Sequence, residues 1–404
     1  MRMQKITQYE LMSMFLIIAC VIGPAFHIGI EQLQIFRIGI GILFVYVLAL
    51  LKHAHIQFDL IDKLTFFFFF FYFVYTLAIS IFSPYGIQLN STINFTIIFV
   101  LVTILLLLLN YNSILFVESL KKAILFLFYI MVMVSLWEIT THHHLSVATF
   151  FENVPEYIQF QSSTFYTNPN DYMAMFTLMF IWFVGYEKII RKKIGLFTYI
   201  FFLVVSLLSF IDNSRLVMIV LFMTAIITFV NKKNLPKLLL IGVLVVAIAI
   251  YSIDWNSPDI KYLLEGLTFG GSSTGIRETL YKWALLSIEQ NYGLGFGIDN
   301  SSHYYQNIYD PNLGGIINPH NYLLEILINS GVLMVVLYIM LNMIYAYLFL
   351  KRKMYFLVYM LIVYQLILIS SSSSIFLWFH YVYFIGVLSL FYSNQIQTIK
   401  GYNT

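Results

Sequence analysis

Apolar residues run along this chain in long blocks that short polar stretches separate. Blocks of about 20 apolar residues are long enough to cross a lipid bilayer as an α-helix. Twelve such blocks predict an all-α polytopic membrane protein, with residues 1–404 forming a single transmembrane domain. The predicted spans are 11–30, 34–51, 64–82, 92–109, 122–140, 171–187, 194–211, 215–230, 236–253, 321–349, 354–373 and 375–392.

The composition excludes a soluble globular protein. Hydrophobic residues make up 60% of the chain, charged residues 10%, and the mean hydropathy is +0.85, whereas soluble domains carry about 25% charged residues. The stretch before the first span carries Arg2 and Lys5 without a clear cleavage site, which predicts a retained helix rather than a removed signal. Cys20, the single cysteine, excludes an internal disulfide.

The distribution of lysine and arginine predicts the orientation of the spans. With the N-terminus in the cytoplasm, 17 of the 22 Lys and Arg residues fall on the cytoplasmic side, as cytoplasmic loops of membrane proteins require. The remaining five lie outside: Arg37, Arg215, Lys261, Arg277 and Lys282. The pattern predicts a multi-pass protein of the plasma (inner) membrane. Its net charge of +3 comes mainly from cytoplasmic anchors and does not indicate a nucleic-acid partner.

Two outer loops are much longer than the other connections. They cover residues 141–170, between spans 5 and 6, and residues 254–320, between spans 9 and 10. Loops longer than about 12–15 residues are usually functional or disordered. Within the second loop, apolar residues at helical spacing predict an amphipathic helix over 275–291 that folds against the bundle.

Polar motifs stand at the predicted outer ends of three spans. The motif 168–171 opens the sixth span, 212–215 the eighth and 318–321 the tenth. Asn or Ser at the N-cap and Pro at the first helical position are typical of helix starts. Because helix N-termini carry a partial positive charge, we expect several of them to face one outer cavity that binds an anion.

Two arginines stand at such helix starts, where a cation is disfavoured by about 0.3–1 kcal/mol. A bound anion would resolve this conflict, and guanidinium groups suit phosphate oxygens bidentately. Arg215 and Arg277 are therefore predicted to bind a diphosphate, with Arg37 as a further contact. The alternatives are that Arg215 reaches the lipid head groups, that Arg277 is a solvated loop charge, and that Arg37 is a membrane anchor.

His320 is the candidate general base. A helix N-terminus lowers the pKa of an imidazole and so favours the neutral form that accepts a proton near pH 7. Asn321 follows it, and Glu325 is an acid inside a predicted span, which usually marks a functional residue. The alternatives are a histidine that bonds a head group or backbone carbonyl, and a structural ion pair for Glu325.

Three further features indicate a function less clearly. The tract His142-His143-His144 looks like a metal site, but adjacent residues on a helix diverge in direction and no further ligand has suitable spacing, so no metal is predicted. The run Gly293–Gly297 predicts a turn that allows close backbone approach rather than a dinucleotide site. The tyrosines and tryptophans of the longer loop suit either sugar stacking or the aromatic belt of a membrane interface.

Taken in order, these motifs resemble the O-antigen ligase/polymerase superfamily. The matching residues are Asn168-Pro169-Asn170, Ser214-Arg215, Gly275…Arg277…Trp283, Gly293-Leu294-Gly295-Phe296-Gly297 and His320-Asn321-Tyr322-Leu323-Leu324-Glu325. The resemblance implies a GT-C-like membrane glycosyltransferase whose donor is a polyprenyl-diphosphate-linked oligosaccharide. It implies that Arg215 and Arg277 bind the diphosphate and that His320 activates the acceptor hydroxyl, with no cofactor. We count Asn168, Asn170, Asn321, Glu325, Gly295, Gly297 and Arg37 as further substrate-binding candidates.

The resulting hypothesis is a polymerase of a surface polysaccharide of the capsule or O-antigen type. It would act on the outer face of the membrane and invert the anomeric configuration. A chain-length regulator and a flippase are the expected protein partners. Alternatives are a ligase that transfers the glycan to a different lipid, cell-wall or protein acceptor, and, more distantly, a flippase or other transporter of lipid-linked glycans. We expect a transporter to show broken helices near the bilayer midplane.

Overall fold

A computed structural model describes residues 2–22, 35–51, 56–154, 158–229, 272–310, 313, 318–370 and 377–401. Thirteen α-helices occur in these residues. They are α1 (Arg2–Ile22), α2 (Ile35–Leu51), α3 (Leu60–Phe82), α4 (Leu89–Tyr111), α5 (Ser113–Thr141), α6 (Pro169–Tyr186), α7 (Leu196–Ile211), α8 (Arg215–Phe229), α9 (Ser272–Gln290), α10 (Asn300–Gln306), α11 (Tyr322–Lys351), α12 (Tyr355–Ser370) and α13 (Phe379–Gly401).

Eleven of the predicted spans coincide with helices in this described part, α1–α8 and α11–α13. The ninth predicted span, 236–253, and the first part of the long outer loop lie outside the described residues. Within the described residues, five helical stretches are apolar and long enough to cross a membrane: Leu60–Phe82, Leu89–Tyr111, Ser113–Thr141, Pro169–Arg191 and Tyr322–Lys351. Five shorter apolar helices accompany them. The chain is a helical, multi-pass membrane protein.

Helix α6 is the centre of the bundle. Every residue from 171 to 186 is buried, and α6 packs against α5, α7, α8, α12 and α13. At its far end Glu187 is 1% exposed and accepts hydrogen bonds from the backbone N–H of Gly195 and from Thr198. Neighbouring helices thus enclose α6. Its first residues, 168–171, are therefore held in place by the whole bundle.

Helix α11 departs from the predicted single span, because it is broken at Gly331. This residue has φ 75° and ψ −178°, far from helical values. Tyr322 and Tyr338 would lie about 24 Å apart along a straight helix, but their ring centroids are only 5.4 Å apart. The first segment (322–330, α11a) thus folds back against the second (332–351, α11b). The predicted span 321–349 thus corresponds to the apolar stretch Tyr322–Lys351, which the structure breaks at Gly331.

A glycine strap, residues 293–298, covers this break. The backbone N–H groups of Phe296 and Gly297 donate to the carbonyls of Ile328 and Asn329, each at 2.8 Å, and the N–H of Val332 donates to Gly293 O at 2.9 Å. These bonds satisfy polar backbone groups that the break would otherwise leave unpaired. The N–H of Ile298 donates to Ser80 Oγ on α3 at 2.8 Å, so the strap ties α11 to α3.

Candidate active site

The amphipathic helix that the sequence predicts over 275–291 is present as α9, and it packs along α11. Leu280 and Ala284 are fully buried in a small core with Ile328 of α11a, and Leu324 packs against the same core. Helices α9 and α11a both lead into the glycine strap, α9 through Gly293 and α11a through Gly331. Because the two helices run side by side into the strap, the start of α11a lies beside α9, and the charge of Arg277 acts on His320.

Asn321 begins α11a and fixes the backbone beside His320. Its side-chain oxygen accepts the N–H groups of Leu323 and Leu324 at 3.0 and 3.2 Å, which is N-cap geometry. The N–H of His320 donates to Asn318 Oδ1 at 2.8 Å, and His320 adopts a left-handed backbone conformation with φ 50°. Such a conformation is uncommon outside glycine and is often found at functional sites.

His320 is half-buried and electrically neutral at physiological pH. Burial, and secondly the nearby charge of Arg277, lower the pKa of His320 from 6.5 to about 4. Arg277 itself is exposed on the first turns of α9, and it makes no ion pair within the described part of the chain. The pair therefore offers a neutral proton acceptor next to an accessible guanidinium group.

The predicted role of His320 as a general base gives an expected pH dependence for kcat/KM. A base with a pKa of about 4 keeps kcat/KM constant through the neutral range, and kcat/KM falls as the pH drops through that pKa, because protonated His320 cannot accept a proton. In Arg277→Gln the charge of Arg277 no longer lowers the pKa of His320, and only burial still lowers it. The acid limb of kcat/KM should then move to higher pH but stay below 6.5. An unshifted limb in this variant would show that Arg277 does not act on His320.

Asn168 and Arg215 begin two neighbouring helices, α6 and α8, which pack together. Asn168 caps α6: its Oδ1 accepts the N–H of Asp171 at 3.0 Å, and its Nδ2 donates to Asp171 Oδ2 at 2.7 Å. Asn170 is exposed on the first turn of α6. Arg215 is half-buried and is the first residue of α8. The structure thus gives Asn168 a role in starting α6, whatever it contributes to a substrate.

Helix α12 connects the two groups of candidate residues, since it packs against α8 and α6 on one side and against α11 on the other. Arg37 lies on a different helix. It is half-buried near the start of α2, which packs against α1 and α4. A substrate role for Arg37 stays a prediction.

Glu325 lies on α11a and is 2% exposed. The break at Gly331 changes which residues surround it. It is close enough to Tyr72 of α3 and Tyr381 of α13 for its charge to act on both. The sequence placed Glu325 one turn deeper in a continuous span. In the structure α11a reverses direction at Gly331, so Glu325 lies one turn from His320 towards the strap.

Gly295 and Gly297 approach protein backbone closely. A Cβ at Gly295 would lie 2.6 Å from Gly331 N, and one at Gly297 would lie 2.6 Å from the Cα of Ser80. Both have positive φ, 93° and 96°. The close approach that the sequence predicts is therefore to α11 and α3, and it explains both glycines without a ligand.

In the described parts of the two long loops, some polar and aromatic residues bond or pack within the protein, and others are exposed. The hydroxyls of Tyr304 and Tyr305 donate to backbone carbonyls of α9, while Tyr292 and Tyr309 are more than nine-tenths exposed. In the histidine tract, His143 bonds the carbonyl of Thr141, and His144 stacks on Phe151 with centroids 3.6 Å apart. The tract's side chains thus have separate neighbours.

Comparison with known proteins supports the motif-based resemblance. Residues 200–339 match the family model described as O-Antigen ligase. Over 224 residues the chain is 29% identical to the Teichuronic acid biosynthesis protein TuaE of Bacillus subtilis (strain 168), a match that covers 52% of this chain. The chain covers 44% of the length of that relative, and no solved structure matches significantly.

The matched region contains Arg215, Arg277, the glycine strap, His320 and the break at Gly331. The family model is described as an O-antigen ligase, and the relative as a protein of teichuronic acid biosynthesis. The O-antigen ligase match thus falls on the same region of the chain that carries the motifs.

Proposed function

We propose that this protein is a polymerase of a surface polysaccharide, acting on the outer face of the plasma membrane. The donor is a glycan linked to polyprenyl diphosphate, and the acceptor is a sugar hydroxyl of a second lipid-linked glycan. The observation that carries the proposal is the pairing of a neutral His320 with an accessible Arg277 at the starts of two packed helices. A base beside a cation suits attack by a hydroxyl on a substrate with an anionic leaving group.

In the proposed reaction His320 accepts the proton of the acceptor hydroxyl, whose oxygen attacks the anomeric carbon of the donor sugar. The bond from that carbon to the diphosphate oxygen breaks, and polyprenyl diphosphate leaves from the opposite face, so the configuration inverts. Arg277 and Arg215 stabilise the negative charge that develops on the leaving group, since guanidinium groups pair bidentately with phosphate oxygens. This charge stabilisation is the role that a divalent metal has in many other glycosyltransferases.

An apolar groove on the outside of α11 and α12 suits the lipid tail of the donor. It has a volume of about 360 Å³, and its lining includes Leu323, Ile339, Met343 and Ile362. Met343 and Ile362 are 65% and 50% exposed, as expected of side chains that contact lipid. Leu323 follows Asn321 by two residues, so a tail in this groove would leave its diphosphate beside His320.

A ligase is the second candidate, because the matching family model is described as O-Antigen ligase. It would use the same donor chemistry with a different acceptor. A transporter is a weaker candidate, although α11 is a broken helix of the kind expected for transporters. The broken helix therefore does not distinguish a glycosyltransferase from a transporter, whereas the family match favours a glycosyltransferase.

Incubating the purified protein with lipid-linked repeat units in liposomes, without nucleotide sugars, tests the proposal. A polymerase lengthens the lipid-linked glycan by whole repeat units and releases polyprenyl diphosphate. A ligase releases polyprenyl diphosphate only when its own acceptor is added. A transporter moves the lipid across the bilayer and leaves its length unchanged, which would contradict the proposal.

A further inference from the structure

Ser162, in the loop between α5 and α6, is held by two buried carboxylates from different parts of the bundle. Its Oγ lies 2.8 Å from Glu138 Oε2, and its backbone N–H donates to Asp212 Oδ1 at 2.8 Å. Glu138 belongs to the last turn of α5, and Asp212 to the turn between α7 and α8. One loop residue thus joins three helices.

Glu138 binds more of the same loop. Its Oε2 also accepts the backbone N–H groups of Ser163 at 3.0 Å and Thr164 at 2.9 Å, and Thr164 has a positive φ of 48°. Glu138 and the loop residues 162–164 are all 0% exposed. One carboxyl oxygen of Glu138 thus accepts three hydrogen bonds and anchors the backbone of residues 162–164.

Asp212 is the second acidic residue that binds Ser162. It is 4% exposed, and burial raises the pKa of its carboxyl well above 3.8, with the charge of Glu138 adding to the effect. The following residue, Asn213, has a φ of 53°, and the N–H of Ser214 donates to Ser209 O at 2.9 Å. This tight turn leads directly into Arg215, three residues after Asp212.

The loop held by the two carboxylates continues to the start of α6. Tyr166 N–H donates to Ser163 O at 3.0 Å, and Asn168 then caps α6. Ser162 Oγ also lies 2.9 Å from Ser135 Oγ, which bonds the hydroxyl of Tyr172 in the first turn of α6. The starts of α6 and α8 therefore share one hydrogen-bonded support.

We propose that Glu138 and Asp212 are positioning residues of the donor site: through Ser162 they hold the start of α8, and with it Arg215, against the start of α6. This inference rests on the proposed function. Neither carboxylate needs to touch the substrate, because both are enclosed by protein. Their contribution is to keep the guanidinium group of Arg215 where the diphosphate binds, and small displacements of such a group are costly for substrate binding.

Asp212→Ala and Asp212→Asn in the full-length protein test the proposal. Alanine removes the acceptor for Ser162 N–H, whereas asparagine keeps an oxygen in the same place. We expect Asp212→Ala to raise KM for the lipid-linked donor about tenfold and also to lower kcat, because a displaced Arg215 binds the diphosphate less tightly and stabilises less of the charge on the leaving group. Asp212→Asn should restore KM to near the wild-type value. Glu152→Gln, a neutralised acid on the exposed part of the same loop, is the matched control and should change neither constant.

Amide hydrogen exchange separates this proposal from the proposed function. In Asp212→Ala, exchange should quicken in residues 161–168 and 212–218, whether or not the protein transfers glycan. An inactive wild type would refute the proposed function alone. Unchanged exchange and unchanged donor KM in Asp212→Ala, or an Asp212→Asn variant as impaired as Asp212→Ala, would refute the positioning role.

Discussion

Replacing His320 by alanine should lower the rate of glycan transfer by a factor of about 10²–10⁴, the usual contribution of a general base. The effect should fall on kcat, because the proton is transferred only in the reaction itself. The reason lies in the local structure: His320 is neutral and is fixed by the bond from its N–H to Asn318. Radiolabelled repeat units in liposomes provide the measurement.

His143→Ala is the matched control for this variant. His143 is exposed, follows the end of α5 and bonds only the neighbouring Thr141 among the contacts seen in the described residues. Its replacement should leave the rate unchanged. If His320→Ala retained wild-type kcat while folding normally, His320 would not be the base.

Replacing Gly331 by alanine should destabilise the protein and abolish transfer. A Cβ at this position would lie 2.2 Å from Gly293 O and 2.5 Å from Leu294 C. With φ 75° and ψ −178° the residue lies in a backbone region that essentially only glycine adopts, and any other residue there costs about 1–3 kcal/mol. The strap cannot yield without losing its hydrogen bonds to α11, and each buried group left unpaired costs about 1–3 kcal/mol. We expect a loss of several kcal/mol in total, seen as a lower unfolding midpoint.

Gly39→Ala provides the comparison for this experiment. Gly39 lies within α2 with no atom within 4 Å of an added Cβ, and alanine favours a helix interior by about 0.5–1 kcal/mol over glycine. Its unfolding midpoint should be equal to or above the wild type. A Gly331→Ala variant that is as stable and active as Gly39→Ala would mean that α11 does not need its break.

The sequence predicts most of the helices correctly because apolar length alone decides where a chain can span a membrane. It also predicts α9, whose buried residues recur at helical spacing. It fails at Gly331, where an apolar count cannot distinguish one long helix from two that fold back. The segment Asn329-Ser330-Gly331 inside an apolar block was a signal for a break, since glycine and polar residues interrupt spans at such points.

Part of the candidate site can be predicted from the sequence. Arg277 and His320 are 43 positions apart in the chain, and only the packing of α9 on α11 shows why they belong together. The sequence pattern does not indicate the role of Glu138, although an acid within a predicted span usually has a function. Its partners, Ser162 and Asp212, are distant in sequence and meet only through the fold.

The cryo-EM structure of the protein with a bound polyprenyl-diphosphate-linked glycan would test the central claim most directly. We expect nitrogen atoms of both Arg215 and Arg277 within about 3 Å of oxygens of the same diphosphate. The imidazole of His320 should face the reactive sugar from the side opposite the leaving group. A diphosphate that contacts neither arginine, or a His320 that points away from the sugar, would contradict the account.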